Sequence, residues 1–207
     1  MEDKKKEIKA IIFDIGGVLM QDNTDLHFGK LAEEYGLNPD DFKKSRRKYV
    51  SLSSTGKMSA DEYVKKIADI HKIKDVEKFK KRWIELKDKY AYVDNDVKEL
   101  ILKLKKNYII GTLTNAIPLH HETRVKKGVY DLPYDINMIS YEHGTEKPEK
   151  EFYKILIKKL NLIPGQIVFI DDCRSNLPPA EELKIKTILF KNAGQLLQDL
   201  KKLGVKI

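Results

Sequence analysis

The sequence predicts an α/β protein, a doubly wound parallel sheet with an inserted helical segment. In the second half of the chain, short apolar runs that end in polar residues alternate with amphipathic helical patterns. Between the first apolar run and this alternating region, about seventy residues show helical periodicity. We therefore expect residues 1–20 and 93–207 to form the sheet-containing core and residues 21–92 to form a helical cap.

The first strand is predicted within residues 9–15, where an apolar run of the kind that is buried on both faces ends at Asp14. Gly16 and Gly17 follow almost at once. Open α/β sheets bind ligands at the carboxyl ends of their strands, so Asp14 is a candidate for metal or substrate binding. The simpler alternative is a carboxylate that only helps to form the turn.

The inserted segment contains three amphipathic patterns. The first ends at Gly36, the second begins with a capping box formed by Ser59 and Glu62, and the third begins near Asp75. The apolar stripe of the third, which includes Trp83, is typical of the core of a helical bundle. The polar stretch at residues 49–58 is expected to be a loop that faces the site and contributes to specificity.

From residue 95 onward, strands and helices alternate. Helices are predicted from the spacing of apolar residues at i, i+3, i+4 and i+7, and each precedes or follows an apolar run. The predicted elements are a helix at 97–104, a strand at 109–114, a helix at 152–160, a strand at 166–171, a strand at 186–190 and a helix at 196–203. This order implies parallel strands joined by right-handed crossovers.

Composition excludes several classes of protein. The 40 basic residues are interleaved with 32 acids, so the net charge of +8 predicts solvated helix faces rather than a nucleic-acid surface, and we expect no nucleic-acid partner. No apolar stretch reaches the roughly 18 residues of a membrane span, and the Lys-rich start lacks a signal-peptide pattern, so we expect a cytoplasmic protein without a membrane partner. The lone cysteine, Cys173, permits no intrachain disulfide, and no role is assigned to it. Oligomeric state is not predicted.

Polar residues also end the later strands. The strand at 109–114 ends in Thr114 and is followed by Asn115, and the strand at 166–171 ends in the acid pair Asp171 and Asp172. Between them, Lys147 precedes a proline at the start of a predicted helix. A lysine before proline is common on protein surfaces, so Lys147 is a candidate only because of its place in this order.

The ordered set of Asp, Thr, Lys and Asp-Asp resembles the haloacid dehalogenase-like hydrolase superfamily, from Lys9 to about Phe190. The Phe-Asp-x-Gly-Gly-Val form of the first motif is similar to a branch that includes sugar-phosphate phosphatases and stands close to the phosphatase domain of epoxide hydrolases. The resemblance implies a Rossmann-like core and a Mg²⁺-dependent phosphatase with an aspartate nucleophile.

The resemblance also implies a role for each motif residue. Asp14 would be the nucleophile, and Mg²⁺ would be bound by Asp14, the carbonyl of Gly16 and Asp172. Phosphate would be bound by the hydroxyl of Thr114, by an amide or backbone donor of Asn115 and by Lys147, which would also be catalytic. Asp171 and Asn176 would support the metal loop.

One position departs from the pattern. Most phosphatases of the superfamily have a second Asp two residues after the nucleophile, where it acts as general acid and base, whereas this chain has Gly16. Since such catalysis contributes about 10²- to 10⁴-fold, we predict a preference for leaving groups that need little protonation. Asp22 or Asp25 is a candidate substitute. His120, His121 and His143 are interpreted as surface or loop residues.

The sequence therefore predicts a Mg²⁺-dependent phosphomonoester hydrolase that forms an aspartyl-phosphate with a small phosphorylated metabolite, such as a sugar phosphate. An alternative is a phosphate-binding regulatory protein with weak or absent catalysis, of which Gly16 would be the sign. A 2-haloacid dehalogenase is the less favoured alternative, because that branch needs no metal and has an aromatic residue at the position of Gly16.

Overall fold

The computed structural model describes residues 7–207, so the first six residues of the expected core lie outside it. Its central feature is a parallel five-stranded sheet with the order β5-β4-β1-β6-β7. The strands are β1 (Ala10–Phe13), β4 (Ile109–Thr114), β5 (Ile136–Ile139), β6 (Ile167–Asp171) and β7 (Lys186–Leu189). All residues of β1 and β6 are buried, as their continuous apolar sequences predict.

Helices cover the sheet and enclose two apolar clusters. They are α5 (Asn95–Leu104), α6 (His121–Lys126), α7 (Ser140–His143), α8 (Lys150–Leu160), α9 (Leu177–Glu182) and α10 (Ala193–Lys202). The cluster on one face of the sheet includes Ile101 and Leu196, and the cluster on the other includes Phe152 and Leu156. The predicted doubly wound α/β fold is confirmed.

Four helices between the first and second parallel strands pack around a separate core. They are α1 (Thr24–Glu34), α2 (Pro39–Ser54), α3 (Ala60–Ile70) and α4 (Val76–Tyr90). Trp83 is fully buried at the centre of this core, with ring contacts to Phe28, Phe42 and Phe79. Ser59 forms the predicted capping box, and Asp75 caps α4.

A short antiparallel pair, β2 (Met20–Asp22) and β3 (Ala91–Val93), joins these helices to the rest of the chain. The sequence pattern predicted helix directly after residue 19, and this expectation was wrong. Three-residue strands are too short to show period-two alternation, and their partners are far apart in sequence. The sequence analysis also does not predict β5, because this four-residue strand is too short to show a clear pattern.

The loop expected at residues 49–58 is shorter in the structure: α2 continues to Ser54, so the expectation is wrong for residues 49–54, and residues 55–58 form a turn. The hydroxyl of Thr55 donates to the backbone carbonyl of Ser51 at 2.7 Å, so this polar side chain is accommodated at the end of the helix. No helix within residues 7–207 is both long enough and apolar enough to cross a lipid bilayer.

Candidate active site

The carboxyl ends of three neighbouring strands meet at one point. Asp14 directly follows β1, while Thr114 and Asp171 are the last residues of β4 and β6. Because β1 pairs in parallel with both β4 and β6, the three side chains lie at the same edge of the sheet. The structure therefore brings together motifs that are separated by most of the chain.

Lys147 is buried between two of these carboxylates. Its Nζ lies 2.8 Å from Asp14 Oδ2 and 2.6 Å from Asp171 Oδ2, and the residue is only 3% exposed. A surface lysine before a proline would show neither feature. Hydrogen bonds between charged groups at this distance are stronger than neutral ones and fix the position of the ammonium group beside Asp14.

Asn115 holds the backbone of Lys147 rather than pointing to open space. Its Nδ2 donates to the carbonyl of Lys147 and its Oδ1 accepts from the N–H of Lys147, both at 2.8 Å. Both polar atoms of the side-chain amide are therefore engaged with Lys147, and the backbone N–H of Asn115 is a further donor for a phosphate. The amide instead positions the loop that carries Lys147.

Donors of the protein surround Asp171. Besides Lys147, its carboxylate accepts from the N–H of Cys173 at 2.7 Å and from Asn176 Nδ2 at 3.0 and 3.1 Å. Asn176 is held in turn by Tyr153, whose hydroxyl donates to its carbonyl at 2.7 Å. With its oxygens engaged in this way, Asp171 is suited to fixing the lysine and the loop after β6.

Asp172 is the carboxylate that stays available. It is exposed, and no side chain among residues 7–207 forms a hydrogen bond or ion pair with it. One carboxylate oxygen from each of Asp14, Asp171 and Asp172 lies within 4.8 Å of the others. Partial burial, together with the charges of Asp14 and Asp171, raises the pKa of Asp172 to about 6.

These acids form a donor set that suits a hard divalent cation. Three carboxylates are opposed by the single ammonium of Lys147, so a cation would relieve a net negative charge. The turn after β1 is closed by bonds from Met20 to Ile15 and from Gly17 to Met20, and neither bond uses the carbonyl of Gly16. That carbonyl is therefore available beside Asp14.

The two glycines of this turn have different structural requirements. Gly17 has a φ of +76°, and a Cβ there would lie 2.2 Å from Asp172 Oδ2, so this position requires glycine. Gly16 has ordinary backbone geometry, and a Cβ there would meet no atom within 4 Å. The side chain that is absent at position 16 is therefore not excluded by space.

A cavity of about 420 Å³ opens between the helices α1–α4 and this edge of the sheet. Gly16 and Asn115 contribute to its lower wall, and aromatic side chains of the helices contribute to its upper wall. Charged and polar residues also line it, namely Asp22, Arg46, Ser54, Lys87, His120, Arg124 and Glu146.

Thr114 lies between the acid cluster and this cavity. The residue is fully buried, and its hydroxyl accepts from Arg124 Nη1 at 3.4 Å. Arg124 Nη2 also donates to the carbonyl of Asn115 at 3.4 Å. A cationic side chain that sequence reasoning did not identify thus stands behind the predicted phosphate-binding hydroxyl.

Neither candidate substitute for the absent general acid is suitable. Asp22 forms ion pairs with Lys87 and His27. Burial raises the pKa of Asp22, but these contacts outweigh burial and lower the pKa to about 2. The carboxylate is therefore ionised at neutral pH and has no proton to donate. Asp25 is exposed in the first turn of α1 and does not line the cavity.

Four further cavity residues were missed or set aside by sequence reasoning: Arg46, His120, Arg124 and Glu146. The sequence predicts that His120 is a surface or loop residue, but its Nε2 is buried without a hydrogen-bond partner among residues 7–207, and burial holds the pKa of His120 well below its usual value. Glu146 accepts from the hydroxyls of Ser51 and Ser54, which links α2 to the loop of Lys147. No local sequence signal distinguishes these residues from others on solvated helices.

Comparison with known proteins agrees with this geometry. A D-ribitol-5-phosphate phosphatase of Bacteroides thetaiotaomicron is 29% identical, with 93% of this chain and 97% of that protein covered. A phosphorylated carbohydrates phosphatase of Thermotoga maritima is 25% identical over 87% of this chain and 84% of its own.

A solved structure and a family profile extend the comparison. A haloacid dehalogenase family enzyme of Bacteroides thetaiotaomicron, crystallised with magnesium and inorganic phosphate, is 22% identical and superposes with a TM-score of 0.74 over 89% of this chain and 94% of its own. The profile of haloacid dehalogenase-like hydrolases matches residues 8–184. The chain belongs to the haloacid dehalogenase-like hydrolase family.

Proposed function

We propose that the protein is a Mg²⁺-dependent phosphomonoester hydrolase in which Asp14 is the nucleophile. The observation that carries this proposal is the cluster in which Lys147 bridges Asp14 and Asp171 while Asp172 stays available nearby. Two relatives that align over most of this chain are named as phosphatases of a polyol phosphate and of phosphorylated carbohydrates. They support a small phosphorylated polyol or sugar as the substrate.

The residues that would hold Mg²⁺ are Asp14, the carbonyl of Gly16 and Asp172. When bound, the ion would neutralise phosphate oxygens and so favour attack by an anionic carboxylate. The fit rests on the oxygen donor set and on the excess negative charge that Lys147 alone does not balance. The available state of Asp172, in contrast to the saturated state of Asp171, supports this division of roles.

In the first step, a carboxylate oxygen of Asp14 attacks phosphorus, the bond from phosphorus to the ester oxygen breaks, and the alkoxide leaves with that electron pair and takes a proton from water. The ammonium of Lys147 neutralises the nucleophile and the transferring group, while the hydroxyl of Thr114 and the N–H of Asn115 donate to phosphoryl oxygens. In the second step, water attacks the aspartyl-phosphate, which releases phosphate and regenerates Asp14.

The absence of a general acid determines which phosphate esters are hydrolysed fastest. With Gly16 two residues after Asp14 and Asp22 ionised, the leaving alkoxide has to take its proton from water. We expect aryl, acyl and anomeric phosphates to react faster than simple alkyl phosphates. Equal turnover of alkyl and activated phosphates would contradict this part of the proposal.

The helices α1–α4 are proposed to act as a cap over the site. They form their own core around Trp83 and meet the sheet edge across the cavity, with Glu146 of the core held by Ser51 and Ser54 of α2. A closed cap excludes water from the reacting groups and lets residues of the inserted segment select the substrate.

The test is hydrolysis of an aryl phosphate by the purified protein with Mg²⁺, with a chelator, and with the Asp14→Asn variant. Activity that requires both the ion and Asp14 supports the proposal. Absence of turnover by the intact protein across aryl, acyl and anomeric phosphates would contradict it and would favour a phosphate-binding protein that has lost catalysis.

A further inference from the structure

Two guanidinium groups in the cavity lack a carboxylate partner. Arg46 on α2 and Arg124 on α6 both line it, and neither forms an ion pair with any acid in the described part of the chain. The third cation of the cavity, Lys87, is paired with Asp22. Burying a charge without a partner costs free energy, so these two guanidinium groups indicate a ligand that supplies acceptors for them.

Arg46 is held in place by aromatic stacking rather than by an acid. Its guanidinium carbon lies 3.2 Å from the centroid of the Phe28 ring, and its Nε is buried without an acceptor. Burial lowers the pKa of Arg46 to about 10, which still leaves the group charged at neutral pH. Stacking uses the face of the guanidinium plane and leaves donors at its edge for a ligand.

Arg124 connects this cationic region to the phosphoryl site. It is only 8% exposed, and its two bonds, to Thr114 Oγ1 and to the carbonyl of Asn115, are both long at 3.4 Å. Long contacts with neutral acceptors do not satisfy a buried charge. The positive region of the cavity therefore begins directly behind Thr114.

A further donor of the cavity wall has the same preference for an acceptor-rich ligand. Trp83 Nε1 is buried without a partner, and the charged groups that act on His120, which also lines the cavity, are all basic: Lys87, Arg124, His27 and Arg46. The two acids of the wall are already engaged, Asp22 with Lys87 and His27, and Glu146 with two serine hydroxyls.

We propose that this cavity binds a second anionic group of the substrate, so that the preferred substrates are small phosphomonoesters that carry a carboxylate or a second phosphate away from the reacting ester. The planar fork of Arg46 matches either anion in a bidentate manner. A volume of about 420 Å³ suits a substrate of a few carbons. The inference rests on the proposed phosphatase function and adds the chemical class of its substrate.

The experiment compares substrates that differ only in the second anion. The pairs are 3-phosphoglycerate with glycerol 3-phosphate, 6-phosphogluconate with glucitol 6-phosphate, and fructose 1,6-bisphosphate with fructose 6-phosphate. We expect the compound with the second anion to have a kcat/KM at least about tenfold higher than its partner. This difference is expected either in the first two pairs, where the second anion is a carboxylate, or in the third pair, where it is a phosphate. Equal or faster turnover of the neutral members in all three pairs would overturn the proposal.

Variants locate the effect. Arg46→Met, which keeps an apolar stem against Phe28, should bring the ratio between anionic and neutral members close to one, and Arg46→Lys should leave an intermediate ratio. The matched control is Arg47→Met, which changes an exposed arginine on the same helix and should leave the ratio at its starting value. A ratio that survives Arg46→Met would place the anion elsewhere and overturn the proposal.

Binding can be measured without turnover, which separates this inference from the catalytic one. Trp83 is the only tryptophan in the chain and lines the cavity, so its fluorescence reports on occupancy. In Asp14→Asn with Mg²⁺, 3-phosphoglycerate should bind about tenfold tighter than glycerol 3-phosphate, and Arg46→Met should remove that difference. If aryl, acyl and anomeric phosphates are all not hydrolysed, the proposed function fails, while the two dissociation constants still decide this inference.

Discussion

The acid cluster of Asp14, Asp171 and Asp172 and the adjacent cavity lined by Arg46 and Arg124 differ in how many of their polar groups already have partners. In the cluster, Lys147 and Asp171 hold each other, and hydrogen bonds from Cys173 and Asn176 complete the carboxylate of Asp171. In the cavity, among residues 7–207, Arg46 forms no ion pair with an acid and Trp83 Nε1 has no acceptor. The contrast indicates that the cluster is organised before a substrate arrives, whereas the cavity is completed by it.

The two regions are therefore suited to different roles, catalysis and substrate selection. A preorganised charge lowers the barrier of a reaction because it needs no rearrangement in the transition state. Unsatisfied donors instead reward a ligand that supplies acceptors, which selects among substrates. We therefore expect changes in the cluster to reduce turnover of every ester and changes in the cavity to alter the order of preference.

The largest effect is expected from Lys147→Met. This change removes the cation between Asp14 and Asp171 and should lower kcat about 10³-fold for all substrates, including aryl phosphates. It should also lower the free energy of unfolding by about 3–5 kcal/mol without Mg²⁺, since three carboxylates are left uncompensated. Added Mg²⁺ should recover part of that loss in urea unfolding.

Lys150→Met is the control for this change, because Lys150 is half-exposed and its partner is the surface acid Glu182. It should change neither kcat nor the Mg²⁺ dependence of unfolding. A Lys147→Met protein that retained turnover would show that the bridge between the carboxylates is structural only.

Gly16→Asp should sharpen the comparison by adding the absent proton donor. The position has ordinary backbone geometry and open space, so the side chain can be accommodated. We expect kcat/KM for an alkyl phosphate to rise about 10²-fold and that for an aryl phosphate to change little. Gly16→Ala serves as the control and should alter neither rate. An equal change for both esters in Gly16→Asp would mean that protonation does not limit the reaction.

Asn115→Ala should show that the amide acts through Lys147. The change removes two hydrogen bonds to the backbone of Lys147, each worth about 1 kcal/mol, so kcat should fall about 10- to 30-fold. Because the effect is on position, the rates for anionic and neutral substrates should fall by the same factor. A selective loss for one class would instead indicate direct contact of the amide with the substrate.

Gly17→Ala should weaken Mg²⁺ binding about tenfold, because a Cβ at this left-handed position collides with the Asp172 carboxylate. Gly36→Ala is a matched control, since Gly36 has a φ of +62° and open space around it. Both variants should lose about 1–2 kcal/mol of unfolding free energy from the backbone. Calorimetric titration should show weaker Mg²⁺ binding in Gly17→Ala alone.

The smallest effect concerns pH. Asp172 must be deprotonated to bind a cation, and its pKa is raised to about 6, so the Mg²⁺ affinity should fall as the pH decreases through that value. Between pH 7.5 and pH 5.5 the apparent dissociation constant should rise about fourfold for a single proton released. Asp172→Asn should bind Mg²⁺ weakly at both pH values and lose this dependence.

The acid cluster could be predicted because its carboxylates lie at the ends of strands that the sequence itself marks, and because Lys147 lies shortly before a predicted helix. Asp14 and Asp171 follow apolar runs, and parallel pairing then brings the strand ends together. What could not be predicted is how the amide of Asn115 is used, because its bonds to Lys147 join residues 32 positions apart.

The cavity could not be predicted from the same reasoning. Arg46 lies among other basic residues on α2, and the basic residues that follow it, Arg47 and Lys48, are exposed. Its contact with Phe28 depends on how α1 and α2 pack, and its proximity to Arg124 depends on how the inserted helices meet the sheet. Sequence periodicity identifies the buried face of a helix but not the residue on the opposite element.

Acid quenching tests whether Asp14 carries the phosphoryl group during turnover. The protein is mixed with Mg²⁺ and an excess of aryl phosphate, quenched within the first turnover, digested and analysed by mass spectrometry. We expect a phosphoryl group on the peptide that contains Asp14, and no phosphoryl group on the same peptide of the Asp14→Asn variant. Rapid turnover with no label on that peptide, or the same label in Asp14→Asn, would contradict it.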